Sequence, residues 1–303
     1  MLIGRSFSEK RARSQADKAN HWRKMARRWG INGPPLRPTT EDIAFYTEAI
    51  YEWVQSNGPA RVLLLGVTPE LYRLPWPEGT ELLAVDHTWD MIDGVWPGPK
   101  DAVCCAEWTA MPLPDASRDI VLCDGGMNLL RYPREHRQLV SVLRRLLSDH
   151  GLCILRLYVP PLQREAPETV LRDFVQGRIS SADILKLRLG MALQKKLMSG
   201  VKLKAVWDVF HEVATGPRRL GRRIGWSAEQ MHAIDIYRGC EERYCFLSVA
   251  DVRDLFCESP GGFRLDSVHL PSYQLGERCP TVVLRRRAER SPGWDGVGRA
   301  KKR

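Results

Sequence analysis

The stretch "VLLLGVTPELYRL" at residues 62–74 decides the fold. Its apolar run leads into Gly66, as in a buried strand that ends in a tight turn. The further glycines that often continue such a turn are replaced by Thr68 and Glu70. The stretch therefore predicts the first strand of an α/β sheet, and it leaves open whether the turn still holds a ligand.

Further apolar, β-branched runs follow this stretch and alternate with helical patterns. Such alternation is typical of βαβ units and a mostly parallel sheet. A connecting helix is predicted from Pro133 to Gly151, with leucines along one face. The predicted strands are 61–66, 80–86, 101–105, 118–124 and 150–158, followed by two later ones within 261–271 and 279–287.

Three segments depart from this alternation and divide the chain. Residues 1–58 predict helices ahead of the sheet, 160–245 a helical insertion and 288–303 a basic tail. The sheet domain then comprises residues 59–159 and 246–287. The predicted N-caps are Thr39 or Thr40, Ser180 or Ser181, Ser227 and Ser248.

The net charge of +10 is concentrated at the two ends of the chain. Residues 1–37 carry +8 and residues 285–303 carry +6, which leaves −4 on the part between them. A nucleic-acid enzyme would carry its basic residues on the folded body. The distribution therefore argues against nucleic acid as the main partner.

Cysteine usage and hydropathy indicate the class of protein. The eight cysteines include no C-x-x-C pair, and the seven histidines are scattered, so we expect reduced thiols and no metal site. No apolar run reaches the roughly 20 residues that cross a bilayer. The sequence predicts a cytoplasmic protein without a membrane span, and it is compatible with a homo-oligomer.

A carboxylate lies twenty residues after the first glycine. Gly66 ends the first predicted strand and Asp86 ends the second. At this separation a strand-end carboxylate can accept hydrogen bonds from the two hydroxyls of a ribose. An aspartate that only caps the following helix, "TWDMI", would give the same pattern.

The stretch "CCAEWTAMPLPDASRDIVLCDGG" at residues 104–126 adds the decisive motif. With its acidic and aromatic pair after the third strand and its "PLPDASRDIVLCDGG" run into the fourth, the chain resembles the class I S-adenosylmethionine-dependent methyltransferases, particularly those that act on small molecules. The resemblance covers residues 40–158 well and 246–287 in outline. It implies a Rossmann-like, seven-stranded, mostly parallel sheet with an antiparallel last strand, and S-adenosylmethionine as cofactor.

The resemblance also implies a set of cofactor-binding residues. It places Gly66 and its neighbours near the methionine part, Asp86 on the ribose, and Glu107 with Trp108 at the adenine. The end of the fourth strand would face the sulfonium. The complete set is Gly66, Val67, Thr68, Asp86, His87, Met91, Glu107, Trp108, Asp124 and Gly125. For Trp108, packing in the core is the alternative interpretation.

The sequence departs from this family at the first turn. Leu64 stands where the family has an acidic residue, and Thr68 and Glu70 replace two glycines. Those glycines let backbone approach a ligand closely. S-adenosylmethionine carries no pyrophosphate. It therefore depends less than a dinucleotide does on a turn made of glycines. A hydride-transfer dehydrogenase is disfavoured, because Glu70 would face the pyrophosphate with the wrong charge.

The proposed reaction needs positioning more than acid–base groups. S-adenosylmethionine contains its own electrophile, so in-line alignment and at most one base suffice. The candidate bases are Asp124, Tyr46 and Tyr158. The insertion would cover the site as a lid, and "WDVFHEV" and "QMHAIDIYRGCEERY" offer aromatic and acidic side chains for a pocket, although such helices also pack against sheets.

Other functions fit the same residues. The altered turn could bend the aminobutyrate tail so that its amine attacks the carbon beside sulfur and releases methylthioadenosine, as in the azetidine-2-carboxylate synthases that look like methyltransferases. A non-catalytic S-adenosylmethionine-binding protein would explain the lost glycines. The basic ends also keep an RNA-modifying enzyme under consideration.

Overall fold

The computed structural model describes residues 21–214, 217–258 and 260–287; within this part the side chains of residues 217 and 218 are also left undescribed. The predicted basic tail, 288–303, and the first twenty residues of the predicted helical segment lie outside it. The strands are β1 (Arg61–Leu65), β2 (Glu81–Asp86), β3 (Val103–Cys105), β4 (Arg118–Asp124), β5 (Leu147–Arg156), β6 (Val201–Lys202), β7 (Arg243–Tyr244), β8 (Phe263–His269) and β9 (Thr281–Arg286).

The main sheet has seven strands in the order β3-β2-β1-β4-β5-β9-β8. Strands β1 to β5 are parallel, and β9 runs antiparallel between β5 and β8. This confirms the predicted Rossmann-like sheet with its antiparallel last strand. The order reverses between β1 and β4, and in such sheets the crevice for a ligand lies outside the carboxyl ends of the strands at that point.

The helices are α1 (helical from residue 21, the first described, to 27), α2 (Thr40–Asn57), α3 (Pro69–Tyr72), α4 (Trp89–Val95), α5 (Arg134–Leu146), α6 (Pro167–Val175), α7 (Ala182–Leu193), α8 (Leu203–Val213), α9 (Pro217–Ile224), α10 (Ala228–His232) and α11 (Val249–Cys257). None of these described helices has the length and apolar content needed to cross a membrane. The helix α9 was not predicted from the sequence.

The central strands are apolar throughout because helices cover both faces of the sheet. On one face Val62 and Leu64 of β1 pack with Tyr46 of α2. On the other face Leu63 packs with Leu143 of α5. The run "VLLL" is therefore the central layer of the core, as its composition predicts.

Predicted caps are found at the helix starts. The Thr39 side chain caps α2 in a capping box with Asp42, and Ser181 rather than Ser180 caps α7. Ser227 and Ser248 form capping boxes at α10 and α11. Each box satisfies backbone N–H groups that the first turn leaves without partners.

The helix predicted from Pro133 to Gly151 is shorter than expected. α5 ends at Leu146, and β5 begins one residue later, where Leu147 pairs with Arg118. The register then shifts, so that Leu152 pairs with Ile120. The polar residues between them lie on a bulged part of the strand, which hydrophobic periodicity alone does not distinguish from a helix end.

The insertion covers the carboxyl edge of the sheet. Its helices α6 to α10, with the small β6–β7 sheet, contribute Phe174, Phe210 and Trp226 to an apolar cluster. Met25 of α1 and Met91 of α4 belong to the same cluster. The insertion thus lies where a lid was expected, while the division of the chain into separate domains stays a prediction.

Candidate functional site

Two adjoining clefts open at the carboxyl edge of the sheet. The larger has a volume of about 790 Å³, counted with the solvent at its mouth, and lies where the ends of β1, β2 and β4 meet the segment 22–36. The smaller has a volume of about 660 Å³ on the same measure and extends past the end of β3. They share five wall residues, which are Trp22, His87, Trp108, Leu129 and Tyr244.

The turn after β1 keeps the one glycine that its geometry requires. Gly66 has a φ of +96°, in the region that side chains rarely adopt. Its N–H donates to the Val85 carbonyl at 2.8 Å, which ties the turn to β2. The next residues, Val67 and Thr68, are buried and line the larger cleft.

Glu70, at the position of a missing glycine, serves a different purpose. It lies in the first turn of α3, as predicted, and accepts a hydrogen bond from Arg37 Nε at 2.6 Å. Glu70 is not part of the wall of either cleft. This pair connects the segment before α2 to the turn after β1.

Asp86 is a buried carboxylate in the wall of the larger cleft. Its Oδ1 accepts from the backbone N–H of Thr88 at 3.0 Å, and Thr88, not Asp86, is the N-cap of α4. Burial raises the pKa of Asp86 to about 6, although the Thr88 N–H works in the opposite direction. The cap function that offered an alternative interpretation therefore belongs to its neighbour.

Trp108 both packs in the core and forms part of the site. Its indole N–H donates to the Val85 carbonyl at 2.8 Å, and its ring belongs to the apolar cluster between the sheet and α5. The same ring lines both clefts. Glu107, just before it, is exposed and lines the smaller cleft.

Asp124 lies at the end of β4 and is held by a buried arginine. Arg156 Nε donates to Asp124 Oδ1 at 2.5 Å, and Arg156 Nη1 donates to the Pro35 carbonyl at 2.8 Å. Burial raises the pKa of Asp124, against the effect of Arg156. Gly125 follows with a φ of +63°, and a Cβ there would lie 2.6 Å from the Tyr158 ring. This turn has no room for a side chain.

The two tyrosines predicted as bases occupy different places. Tyr158 lines the larger cleft, and its hydroxyl donates to the Leu36 carbonyl at 3.0 Å. Tyr46 is fully buried beneath the sheet, with its hydroxyl 3.4 Å from the Cys123 carbonyl, and it lines neither cleft. Burial raises the pKa of both phenols well above the usual range, so neither is suited to accept a proton.

The structure brings most of the predicted site residues together. Tyr46 is outside the clefts, and Glu107 lines the smaller one. The larger cleft collects the others, which are Gly66, Val67, Thr68, Asp86, His87, Met91, Trp108, Asp124, Gly125 and Tyr158.

Sequence reasoning missed the wall opposite the sheet. The segment 22–36 supplies Trp22, Met25, Trp29, Asn32 and Leu36, and the loop after β4 supplies Asn128. The spacing of the first three indicated a helix but not which face meets a ligand. From the insertion, "QMHAIDIYRGCEERY" supplies Tyr237 and Tyr244, whereas no residue of "WDVFHEV" lines either cleft.

The described part of the chain contains no cluster of metal-ligating side chains. Within residues 21–214, 217–258 and 260–287, no three His, Cys, Asp or Glu side chains lie close enough together to hold a metal ion. All eight cysteines fall in this part of the chain, and each is a free thiol there.

Several solved structures are similar to the chain. One is named as a Zn-dependent alcohol dehydrogenase of Rhodobacter sphaeroides; it is 16% identical, with 90% of this chain and 98% of that chain covered and a TM-score of 0.57. A methyltransferase from Streptomyces caelestis is 13% identical, over 87% and 96% of the two chains, with a TM-score of 0.48. An S-adenosylmethionine-dependent methyltransferase from Methanosarcina mazei is 12% identical, over 80% and 98%, with a TM-score of 0.46.

These likenesses concern the fold. No protein-family model matches the chain, and no curated protein does either. The strand order, the parallel β1 to β5 and the antiparallel β9 give the chain a Rossmann-like, seven-stranded, mostly parallel sheet. Because one fold hosts many activities, the function has to be argued from the site.

Proposed function

We propose that this protein is an S-adenosylmethionine-dependent methyltransferase that acts on a small molecule. The observation that carries the proposal is the charge of the larger cleft. Asp86 and Asp124 line it at the ends of β2 and β4, and the described wall contains no lysine or arginine. Arg156, behind the wall, already pairs with Asp124, so Asp86 is the carboxylate whose charge no arginine offsets among the described residues. A wall without lysine or arginine disfavours a phosphate group, and a buried carboxylate suits a nucleoside without phosphate, such as the sulfonium nucleoside.

The same charge argues against a dinucleotide. The dehydrogenase named for the Rhodobacter structure would bring a pyrophosphate to the turn after β1, where helix N-termini and bare glycine turns normally cradle it. Here Thr68 fills that turn, and α3 behind it has only four residues, with Glu70 in its first turn. Hydride transfer is therefore the weaker proposal for this chain.

The residues fit the parts of the cofactor. Asp86, as the carboxylate, would accept hydrogen bonds from both ribose hydroxyls, and Glu107 with Trp108 would hold the adenine in the smaller cleft. Backbone groups from Gly66 to Thr68 would meet the amino-acid tail. When bound, S-adenosylmethionine supplies a methyl group on a positively charged sulfur; a nucleophile's lone pair forms the new bond to carbon while sulfur keeps the electrons of the broken one.

The protein's own contribution is alignment. Asp124 and Gly125 would lie beside the reacting methyl group, and Arg156 fixes the carboxylate through its short hydrogen bond. Aligning the nucleophile and the methyl carbon removes much of the entropic barrier of such a transfer. Since the phenols of Tyr46 and Tyr158 stay protonated, Asp124 is the one of the three predicted bases that we retain.

The enclosure favours a small acceptor. Segment 22–36 and the insertion cover the larger cleft, and the shared apolar cluster holds them together. A nucleic-acid strand or a folded protein would need an open groove at the methyl group. We therefore assign a small-molecule acceptor.

The test is product analysis with S-adenosylmethionine that carries a deuterated methyl group. The full chain, mixed with a small-molecule extract, should release S-adenosylhomocysteine and transfer the label to an extract component. Asp86→Asn should weaken S-adenosylhomocysteine binding by about tenfold to a hundredfold, because it removes charge-assisted hydrogen bonds. Asp93→Asn, the same change at an exposed position of α4, should have no effect.

Two results would contradict the proposal. Release of methylthioadenosine without any acceptor would show that the chain breaks the carbon–sulfur bond to the aminobutyrate tail instead of the bond to the methyl group. Equal effects of Asp86→Asn and Asp93→Asn on binding would show that the strand-end carboxylate does not hold the ribose.

A further inference from the structure

The larger cleft has more wall than a cofactor needs. Beyond the residues assigned above, its wall is built mainly of Trp22, Trp29, Leu36, Tyr237, Tyr244 and Asn128. Five of these side chains are aromatic or aliphatic, and one is a carboxamide. Asp124 belongs to the same wall, and an acceptor would have to lie beside it. The other carboxamide of the wall, Asn32, already accepts from Lys186 Nζ at 3.4 Å.

Its aromatic walls favour a flat, apolar molecule. Tyr237 and Tyr244 are buried, and their hydroxyls hydrogen-bond each other. Their rings pack edge to face with centroids 6.3 Å apart. Aromatic rings in such arrangements provide rigid surfaces for another ring, with little entropy lost on binding.

Its charges disfavour an anion. The described wall of the larger cleft contains two carboxylates and no lysine or arginine. Lys186, behind Tyr237, is already paired with Asp183 at 2.6 Å and is only 1% exposed. A carboxylated or phosphorylated acceptor would lose its hydration without gaining a cation.

Asn128 brings a polar side chain to this wall. It is 4% exposed, and its backbone carbonyl accepts from the Cys245 N–H at 2.8 Å. Its side-chain Oδ1 is buried and has no hydrogen-bond partner among the described residues. An unsatisfied buried acceptor is costly, so a ligand that donates to it recovers that cost on binding.

We propose that Asn128 selects the acceptor of the reaction: a neutral aromatic molecule whose N–H or O–H donates to Asn128 Oδ1 while its ring lies between the tyrosines and Trp22. This inference rests on the proposed methyl transfer and specifies its substrate class. Asn128 acts as a positioning residue, because the hydrogen bond orients the ring relative to the methyl group.

The experiment uses three probes of one shape: phenol, toluene and benzoate. Each is titrated by NMR into the full chain, with and without saturating S-adenosylhomocysteine. Phenol should bind about five- to tenfold more tightly than toluene, because one hydrogen bond contributes a free energy of that size. Benzoate should bind most weakly of the three, because its charge would be buried without a cation. The side-chain amide resonances of Asn128 should shift with phenol and not with toluene.

Variants separate recognition from folding. Asn128→Leu should abolish the preference for phenol over toluene and leave S-adenosylhomocysteine binding unchanged, while Asn128→Asp, which keeps an acceptor oxygen, should retain the preference. Asn57→Leu, a matched change at the exposed end of α2, should change neither. The Asn128 amide shifts in the wild-type chain provide a readout that does not depend on a variant.

Each result decides a different point. Equal binding of phenol and toluene, a preference that survives Asn128→Leu, or benzoate as the tightest probe would overturn the assignment of Asn128. Absence of S-adenosylhomocysteine binding in the wild-type chain would instead overturn the proposed function, and with it the acceptor site that is built on it.

Discussion

At the scale of single residues, the turn after β1 shows which parts of a motif are chemical and which are geometrical. Gly66 remains because its φ of +96° requires it. Thr68 and Glu70 replace glycines where no dense negative charge has to approach the backbone. Glu70 instead binds Arg37 and holds the N-terminal segment in place. Glu70 thus has a structural role at the position of a missing glycine, and the proposed function accounts for both replacements by a ligand without a pyrophosphate.

The pKa of Asp86 predicts how ligand binding depends on pH. Burial raises this pKa to about 6. Only the carboxylate, which predominates above that pH, can accept from both ribose hydroxyls. The affinity for S-adenosylhomocysteine should therefore be constant above about pH 6 and fall by up to about tenfold per unit below it.

Calorimetric titrations at several pH values check this dependence. Asp86→Asn cannot ionise, so its affinity should be lower and flat across the same range. An unchanged slope in Asp86→Asn would place the titrating group elsewhere.

The sequence could predict which residues lie together where the sheet determines their location. Gly66, Asp86 and Asp124 each end a parallel strand, so they had to meet at one edge. Asn128 could not be found this way, because its importance depends on an unsatisfied oxygen that only the three-dimensional packing reveals. Tyr46 carries a phenol of the kind proposed as a base, but helix α2 directs this side chain into the core and away from both clefts.

At the scale of elements, strands were easier to predict than the insertion. The run "VLLL" has to be a central strand, since no other element buries it on both faces. Helix α9 and the β6–β7 pair have short, polar sequences whose conformation depends on neighbouring elements. The end of α5 was misplaced because a bulge at Leu147–Leu152 keeps polar residues within a strand.

Helix α7 holds segment 22–36, which lines the larger cleft. Asp183 Oδ2 accepts from the Gly33 N–H at 2.7 Å, and Lys186 pairs with Asp183 Oδ1 at 2.6 Å. Lys186 also donates to Asn32 at 3.4 Å. This buried pair joins the insertion to segment 22–36.

Breaking the pair from one side should be more harmful than replacing both members. Lys186→Met leaves the Asp183 charge buried without its cation and should lower the free energy of unfolding by about 3–5 kcal/mol. Asp183→Leu with Lys186→Met removes both charges and should cost only about 1–2 kcal/mol, which comes from the lost hydrogen bond of the Gly33 N–H. Urea unfolding measures both values. Faster hydrogen exchange at Gly33 in the double variant would confirm that Asp183 holds segment 22–36. Equal losses of unfolding free energy in the single and double variants would contradict the role of Lys186 as the partner of a buried charge.

At the scale of the whole molecule, charge and topology point in the same direction. The sheet brings two carboxylates to a single crevice, and the described wall of the larger cleft contains no basic side chain, although the chain as a whole carries +10. The insertion and segment 22–36 supply the wall opposite the strand ends. This arrangement is the one that the proposed function requires, in which the cleft takes a nucleoside without phosphate.

Calorimetry on the full wild-type chain tests this central claim most directly. S-adenosylhomocysteine and NAD⁺ both carry adenosine, but NAD⁺ adds a pyrophosphate. We predict that S-adenosylhomocysteine binds at one site per chain and that NAD⁺ neither binds nor competes with it. Binding of NAD⁺ that displaces S-adenosylhomocysteine, or no binding of S-adenosylhomocysteine at all, would contradict the account.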